Sequence, residues 1–375
     1  MTIQEKNERP KTKVIFVGGF RSAAKDGTIG GQAIASQSLV NSPLSEMVNW
    51  VLIDSTQVSQ PPPGWFVRIW FALKRVFRVL FHLLSPKTSA ILTFTSYEFA
   101  SFAEKGLMLI LGKLTGKRTV MSIRSQVRDL PSDKYAYWYR KLALRFFDTV
   151  VCQSEHAASE LVKRFGYPRE KIEIIANWVD AEKYTPSDRS QNNVETKFLF
   201  MGWLEKFKGV QHIIEAADQL RQSGHKFKVD IYGGGSELES LTDLCSQLDV
   251  GQYVEFCGWV SGAGKLDALA TANIAILPSY NEGMPNFLLE AMSCGLAVVA
   301  TPVGGVPSLI QSSEQGILVE PKSSAELANA MSTLIKDPEL VKQMGNFNRG
   351  FVEENHHVKN VWTKMARALN LETVQ

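Results

Sequence analysis

The chain has 375 residues, which is long for a single hydrophobic core and fits two domains of ordinary size. Its 45% hydrophobic and 21% charged residues are typical of a globular protein and exclude a disordered or fibrous chain. The formal net charge of +3 is too small to indicate nucleic acid as the main partner.

The four cysteines are far apart and form no CxxC pair, which favours a reducing compartment. The first residues, from Met1 to Lys13, are polar and charged, so no signal peptide is predicted. No run reaches the roughly 20 apolar residues that a membrane-spanning helix needs. We therefore expect a cytoplasmic protein.

Apolar, β-branched runs alternate with helical patterns along the whole chain. Short runs of this kind are typical of strands buried on both faces of a parallel sheet, joined by right-handed βαβ crossovers. Strands are predicted at residues 13–17, 48–53, 90–94, 118–123, 149–152 and 171–175, and in the second half at residues 197–201, 226–231, 253–257, 274–277 and 297–300. The pattern predicts an α/β fold of two Rossmann-like, doubly wound domains in tandem.

Two groups in the first half could face a ligand. Gly30 and Gly31 open a predicted helix and would let the backbone approach a diphosphate or a sugar, although a plain flexible loop is the alternative. Arg124 follows the fourth predicted strand, where a guanidinium could hold a phosphate or an acceptor hydroxyl. A structural ion pair is an equally good interpretation of Arg124.

Residues 65–84 form a basic amphipathic stretch without an acidic residue. One side of the helical wheel carries Arg68, Lys74, Arg75, Arg78 and His82, and the opposite side carries Phe66, Ile69, Trp70, Leu73, Phe77, Leu80 and Leu84. Such a helix can lie in an anionic membrane surface. The alternative is a core helix with a solvated basic edge; Val67 and Phe71, on the basic side, do not suit full exposure.

Residues 181–196 are rich in turn formers and poor in apolar residues, so they are predicted to link a first domain, residues 1–180, to a second, residues 197–351. Ligands are expected in the cleft between the two domains. The last segment, residues 352–375, has a helical pattern with Trp362, Met365 and Leu369 roughly on one face. Periodicity leaves open whether this helix packs on the second domain or crosses back to the first.

The second half begins with a strand, a glycine turn and the two lysines Lys206 and Lys208. Lysines here can bind an anionic ligand as point charges, and the alternative is a pair of lysines on a solvated loop. Gly233 belongs to a further strand-to-helix turn, Tyr232-Gly233-Gly234-Gly235. Because Leu238 stands where a GxGxxG motif has its third glycine, this turn alone is a weak signal.

The most informative segment runs from Pro278 to Met292. It follows a buried strand, turns through Gly283, Met284 and Pro285, and opens a helix near Asn286. Backbone amides at a helix N-terminus favour an anion such as a diphosphate. Glu282 and Glu290 lie on either side of this turn, where their carboxylates can accept hydrogen bonds from the transferred sugar and from the ribose, respectively. The alternative is a solvated loop acid and an ordinary helical glutamate.

Glu282 and Glu290, with seven residues between them in a Glu-Gly-Met-Pro context, resemble the EX7E motif of the retaining glycosyltransferases of family 4, which have the GT-B fold. The segment from Phe198 to Gly209 resembles the GRLxxxKG signature of that family, with Trp203 in place of its arginine. The resemblance is strong from about residue 198 to 321 and weaker over the first half.

The resemblance implies a nucleotide-sugar donor, bound as a substrate, and a transfer that needs neither a metal ion nor a cofactor. It assigns the donor diphosphate to Lys208, and it makes Glu282 and Lys208 the expected catalytic residues. Glu290, Gly30, Gly31, Lys206, Gly233 and residues 283–286 become the expected donor-binding groups, with Lys206 the candidate to replace the missing arginine. Arg124 becomes a weaker candidate for the acceptor or a phosphate, because many members have a histidine there.

The expected partners are a UDP- or GDP-sugar, a glycan or polyprenyl-diphosphate-linked acceptor bound by the first domain, and an anionic membrane surface bound through residues 65–84. Together they predict a role in cell-surface polysaccharide or lipopolysaccharide biosynthesis at the cytoplasmic face of the inner membrane. Three alternatives stay open. They are a GT-B nucleotide-sugar 2-epimerase, a non-catalytic scaffold of polysaccharide assembly and, least supported by the glycine spacing, an NAD-dependent oxidoreductase.

Overall fold

Parallel strands dominate the computed structural model, which describes residues 11–21, 31–56, 64–125, 127, 134–187 and 195–371. The first half contains β1 (Thr12–Gly18), β2 (Val48–Asp54), β3 (Thr88–Thr95), β4 (Arg118–Ile123), β5 (Thr149–Cys152) and β6 (Ile172–Ile174). The second contains β7 (Thr196–Met201), β8 (Phe227–Tyr232), β9 (Val254–Gly258), β10 (Ile274–Leu277), β11 (Ala297–Ala300) and β12 (Ile317–Leu318).

Helices fill the connections between these strands. In the first half they are α1 (Gly31–Val40), α2 (Leu44–Met47), α3 (Trp65–Leu83), α4 (Phe99–Leu114), α5 (Lys134–Leu144) and α6 (Glu155–Phe165). In the second half they are α7 (Val210–Gln222), α8 (Leu238–Gln247), α9 (Gly262–Thr271), α10 (Asn286–Ser293), α11 (Val306–Leu309), α12 (Ser324–Lys336), α13 (Pro338–Asn355) and α14 (Val358–Ala368).

The strands form two six-stranded sheets, ordered β2-β1-β3-β4-β5-β6 and β12-β11-β10-β7-β8-β9. The chain leaves β7 in one direction and β10 in the other, so the second sheet has its topological switch point between these two strands. The predicted doubly wound α/β fold is thereby confirmed. Eleven strands lie within two residues of their predicted bounds, whereas β12 is not predicted because two residues carry no periodicity.

Helices cover both faces of the first sheet. On one face α3, α4, α5 and α6 pack over Ile15, Ile91 and Met121. On the other face α1, α2 and α14 pack over Val14, Phe16 and Leu92. The second sheet has one large core around Phe198, Phe200 and Phe227. These strands are apolar on both faces, as the continuous apolar runs of the sequence indicate.

The C-terminal segment is divided into two helices. Between α13 and α14 the backbone of Val179 donates to the carbonyl of His356 and accepts from the amide of Val358, which draws the chain toward residues 177–179. Helix α14 then places Val361 and Met365 in the core of the first sheet, and Leu369, directly after the helix, joins them. The segment therefore runs from the second sheet to the first, a choice that periodicity leaves open.

Part of the predicted linker is built into the structure. Tyr184 is buried in the core of the second sheet, and Ser187 donates to the carbonyl of Ala270. Residues 188–194 lie outside the described residues. Among the described residues, no helix is both long and apolar enough to cross a membrane.

Candidate functional site

A cleft of about 730 Å³ lies between the carboxyl edges of the two sheets, as predicted. This volume is in the range of small-molecule sites. The first sheet and its helices contribute Gln32, Gln37, Ser96, Arg124, Gln153 and Asn177 to the lining, and the second half contributes Trp203, Lys208, Trp259, Lys265, Glu290 and residues 282–287.

Glu282 and Lys208 form an ion pair in this cleft. Lys208 Nζ lies 2.6 Å from Glu282 Oε1, and the hydroxyl of Ser279 donates to the same oxygen at 2.8 Å. Only 9% of Glu282 is exposed, so its carboxylate needs these donors. Within the described residues, Glu282 Oε2 accepts no hydrogen bond. One carboxylate oxygen is thus held in place while the other can accept from a ligand.

A glycine holds the Lys208 loop against the Glu282 loop. Gly209 has φ +69°, and a Cβ there would lie 2.2 Å from the carbonyl oxygen of Pro278. The amide of Tyr280 donates to the carbonyl of Phe207 across the same contact at 2.7 Å. These loops follow β7 and β10, the strands at the switch point, and their close packing brings Lys208 to Glu282.

Glu290 forms a second buried ion pair, one helical turn into α10. Lys265 Nζ lies 2.5 Å from Glu290 Oε2, and the Tyr184 hydroxyl donates to Oε1 at 3.1 Å. Glu290 is 3% exposed. Burial and the neighbouring Glu290 carboxylate raise the pKa of Tyr184 well above its usual range. Tyr184 therefore remains a hydrogen-bond donor at neutral pH.

The turn between the two glutamates is tightly packed. Gly304, at φ +58°, leaves no room for a side chain, because a Cβ there would lie 1.7 Å from the carbonyl oxygen of Glu282. The amide of Gly305 donates to the carbonyl of Gly283 at 2.6 Å. On the side of the first sheet, a Cβ at Gly283 would lie 3.0 Å from Gln153 Oε1 and 3.2 Å from Ser125 Cα. The turn is thus clamped by segments from both sheets.

Asn177 connects the first sheet to this turn. Its Nδ2 donates to the carbonyl of Met284 at 2.6 Å and to Asn286 Oδ1 at 2.8 Å. Its Oδ1 accepts from Arg124 Nη2 and from Gln153 Nε2, each at 2.5 Å. One buried amide therefore fixes the start of α10 relative to β4 and β5.

Arg124 is enclosed by aromatic rings. Its guanidinium carbon lies 4.9 Å from the Phe94 ring centroid and 4.6 Å from that of Trp178. Burial lowers the pKa of Arg124 to about 9, so the side chain stays charged at neutral pH. Among the described residues, Nη1 has no hydrogen-bond partner. The predicted alternative of a structural ion pair for Arg124 is wrong within the described residues, since Nη2 bonds a neutral amide.

Two predicted site residues, Lys206 and Gly233, are not among the described residues that line the cleft. Lys206 is exposed on the one-turn helix Lys206–Lys208 and lies outside the lining, so Lys206 does not take the place of the missing arginine in the described cleft. Gly233 instead allows two backbone segments to pack closely, because a Cβ there would lie 1.9 Å from the carbonyl oxygen of Gly202. Gly31 begins α1, whose next residue, Gln32, lines the cleft, and Gly30 lies outside the described residues.

Several residues of the lining carry no sequence signal. Lys265 lies in an alanine- and glycine-rich helix without any motif around it, and Tyr184 falls in the predicted linker. From the sequence, Trp203 is identified only as a departure from the family pattern. In the structure it meets Trp259 edge to face, with ring centroids 4.5 Å apart, and both rings line the cleft. Such pairings between distant segments leave no signal in spacing.

Two family models match successive parts of the chain. The model described as Glycosyltransferase Family 4 matches residues 41–183, and the one described as Glycosyl transferases group 1 matches residues 185–351. A D-inositol 3-phosphate glycosyltransferase of Corynebacterium jeikeium is 28% identical over 240 residues, which are 60% of this chain and 56% of the relative. The matched part thus spans about half the length of that relative.

Solved structures match nearly the whole chain. Anabaena Alr3699/HepE in complex with UDP aligns with a TM-score of 0.73 at 18% identity, over 96% of this chain and 99% of that one. The sucrose-phosphate synthase of Thermosynechococcus elongatus aligns with a TM-score of 0.74 at 18% identity, over 96% and 98% of the two chains. At 18% sequence identity, these matches show that the fold is shared.

Proposed function

Because the chain belongs to the family 4 glycosyltransferases and has their GT-B fold, we propose that it moves a hexosyl group from a nucleotide sugar to an acceptor hydroxyl with retention of the anomeric configuration. The proposal rests on one observation. The pairs Glu282–Lys208 and Glu290–Lys265 stand on either side of the turn that begins α10, in one cleft.

The arrangement suits a sugar joined to a nucleoside diphosphate. The diphosphate lies at the first turn of α10 and beside Lys208, where backbone amides and a cation face its charge. Glu282 accepts a hydrogen bond from a hydroxyl of the transferred sugar, and Glu290 accepts from the ribose. The HepE structures hold UDP, and one of them holds UDP-glucose, so UDP-sugars are the first donors to test.

In the proposed reaction the bond between the anomeric carbon and the terminal phosphate oxygen breaks. The acceptor oxygen bonds to the same face of that carbon, and its proton passes to the departing phosphate oxygen. Negative charge therefore grows on the diphosphate, and Lys208 with the amides of α10 stabilises it most in the transition state. The residues of this chain supply the charge stabilisation and position the reactants, and no step requires a metal ion or a cofactor.

We further propose that helix α3 rests on an anionic membrane. The side that carries Phe66, Trp70 and Phe77 is turned away from the sheet, and these side chains are 68–70% exposed, whereas Val79 and Leu83 face the core. The alternative interpretation of α3, a core helix with a solvated basic edge, requires the aromatic side to be buried and does not fit this orientation. A helix that presents aromatic and basic groups together binds the interface of anionic lipids. This placement supports a glycan or polyprenyl-diphosphate-linked acceptor of cell-surface polysaccharide synthesis, at the cytoplasmic face of the inner membrane.

Donor binding tests the transferase proposal. We expect UDP or a UDP-sugar to raise the melting temperature of the protein, because a ligand that binds the folded state stabilises it by mass action. Glu282→Gln should keep the fold and lower kcat about 100-fold, while Glu354→Gln, at an exposed glutamate of α13, should not change it. Wild-type activity in Glu282→Gln would contradict the proposal and favour a non-catalytic scaffold. Donor converted to its 2-epimer without an acceptor would favour an epimerase.

Flotation with anionic liposomes tests the role of α3. The double variant Trp70→Glu/Phe77→Glu should lose binding that the wild type shows, because each glutamate must be dehydrated at the interface. Equal failure of wild type and variant to float would refute the membrane proposal and leave the transferase proposal intact.

A further inference from the structure

Helix α5 carries an exposed aromatic surface of its own, separate from that of α3. Trp138 is 63% exposed and Leu142 is 56% exposed, and they lie four residues apart on one side of the helix. The other side of α5 is buried through Ala136, Ala143 and Leu144. Large apolar side chains grouped in this way on a surface mark a contact with a partner.

Helix α4 lies between α3 and α5 and joins their surfaces. All three helices pack on the same face of the first sheet, so their outer sides point the same way. On its outer side α4 exposes Leu107 and Leu114. Its one acid, Glu104, is neutralised by Arg75 of α3 at 2.6 Å and by Lys105 at 3.1 Å. The outer sides of α3, α4 and α5 therefore form one surface rich in exposed apolar side chains, which we name the three-helix face.

The charged side chains of α3 and α5 have one sign. Helices α3 and α5 contain no acidic residue, and α5 carries Lys134 and Lys141, with Arg145 directly after it. Lys141 Nζ lies 5.3 Å from the ring centroid of Trp138. Indole rings beside basic side chains suit the headgroup region of a bilayer, where one part of the group is apolar and the other is wet. This combination favours an anionic lipid surface over a soluble partner.

The three-helix face also reaches the edge of the sheet at which the cleft opens. In a parallel sheet each crossover helix runs back along its strand, so its first residues lie near the carboxyl edge. Trp65, Phe99 and Tyr135 belong to the first turns of α3, α4 and α5, and all three are exposed. Exposed aromatic groups thus lie at the edge that also carries Arg124 and the cleft.

We propose that α4 and α5 bind the anionic membrane together with α3, so that the three-helix face rests on the bilayer and a lipid-linked acceptor enters the cleft from its surface. The route of the acceptor rests on the proposed transferase function. Membrane contact by α5 rests only on the exposed residues and charges of this face.

Vesicle binding with three matched variants tests the proposal. One has Trp138→Glu/Leu142→Glu on α5, one has Trp70→Glu/Phe77→Glu on α3, and the control has Leu238→Glu/Phe347→Glu, two exposed apolar residues of the second half. Vesicles of phosphatidylglycerol and phosphatidylcholine are compared with phosphatidylcholine alone. We expect the α5 variant to bind the anionic vesicles at least about 10-fold more weakly than wild type, and the control to bind them as wild type does. Circular dichroism and the UDP-induced shift in melting temperature should be unchanged in all three.

Three results would overturn the proposal. In the first, the α5 variant binds anionic vesicles as wild type does, which leaves membrane contact to α3 alone. In the second, wild type binds no vesicles. In the third, sedimentation without lipid shows that the wild type is a dimer and that the α5 variant is a monomer, while the α5 variant still binds vesicles. The three-helix face would then join two copies of this chain. The absence of any UDP-induced shift in wild type would refute the transferase proposal separately, since that readout needs no membrane.

Discussion

The side-chain amide of Asn177 donates a 2.6 Å hydrogen bond to the backbone carbonyl of Met284, and this bond ties the end of the first half to the turn that begins α10. The same amide holds Asn286 Oδ1, while its oxygen accepts from Arg124 and Gln153. The geometry of the donor turn therefore depends on a residue from the other side of the cleft.

Asn177→Asp should weaken the donor site without removing the acceptor oxygens that Arg124 and Gln153 use. The carboxylate would face Met284 O and Asn286 Oδ1 with lone pairs instead of donors, so the turn should shift. We expect kcat/KM for the donor to fall about 10- to 100-fold, which corresponds to about 1.4–2.7 kcal/mol. Steady-state kinetics at varied donor concentration measures it. An unchanged kcat/KM would show that the turn is held by Gly304 and Gly305 alone.

Lys265→Met should destabilise the fold, because within the described part of the chain it leaves the buried Glu290 carboxylate with Tyr184 as its remaining side-chain donor. Removal of one partner of a buried ion pair costs about 3–5 kcal/mol. The double variant Lys265→Met/Glu290→Gln should regain most of that loss and yet bind donor weakly, since the ribose contact is gone. Urea unfolding and donor KM, measured on the singles and the double, separate the two effects. Wild-type donor KM in Glu290→Gln would contradict the proposed ribose contact.

Arg124→Met should raise stability and impair transfer at once. The guanidinium is charged in a buried setting that lowers its pKa to about 9, and the neutral methionine side chain avoids that dehydration cost. We expect a gain of about 1 kcal/mol in the free energy of unfolding. The acceptor KM should increase while the UDP-induced shift in melting temperature stays the same. A loss of stability would instead show that stacking on Phe94 and Trp178 outweighs dehydration.

Gly304→Ala should cost more than about 2 kcal/mol in the free energy of unfolding, because its φ of +58° is strained for alanine and the new Cβ would meet the Glu282 carbonyl at 1.7 Å. Gly350→Ala is the matched control. Gly350 lies in α13, and no atom lies within 4 Å of the place that a Cβ would take, so alanine there should add about 0.5–1 kcal/mol. Chemical denaturation of both variants measures these differences.

Acid should weaken the contact between His356, at the end of α13, and the backbone carbonyl of Asn177. Burial lowers the pKa of His356 below its ordinary value of 6.5, and Nδ1 bonds the carbonyl of Asn177 at 2.9 Å. The unfolded chain then binds a proton at a higher pH than the folded one. Stability is therefore complete above about pH 6.5 and falls as pH drops through the interval between the unfolded and folded pKa values. His356→Gln should flatten the fall of melting temperature between about pH 7 and 5, as measured by thermal unfolding at a series of pH values.

The sequence determined the fold class, the strands and the segment with the two glutamates. Buried strands need continuous apolar runs, and turns next to an anion need glycine, so both leave a local pattern that can be counted along the chain. Such patterns predict Glu282, Lys208, Glu290 and the turn of residues 283–286, and all of these residues line the cleft. The amphipathic pattern of residues 65–84 is also visible, but a pattern alone does not say which side of a helix meets the sheet.

The tertiary structure decided the partners of those residues. Lys265, Tyr184 and Asn177 come from a featureless helix, a linker and a domain end, and no spacing rule joins them to Glu290 or Met284. Likewise, α3 turns its aromatic side outward because Val79 and Leu83, four residues apart, pack into the core of the first sheet together with α4. Contacts between residues about 100 or more positions apart, such as Asn177 with Met284, depend on how two sheets pack, and packing is a property of shapes in space that a linear pattern does not record.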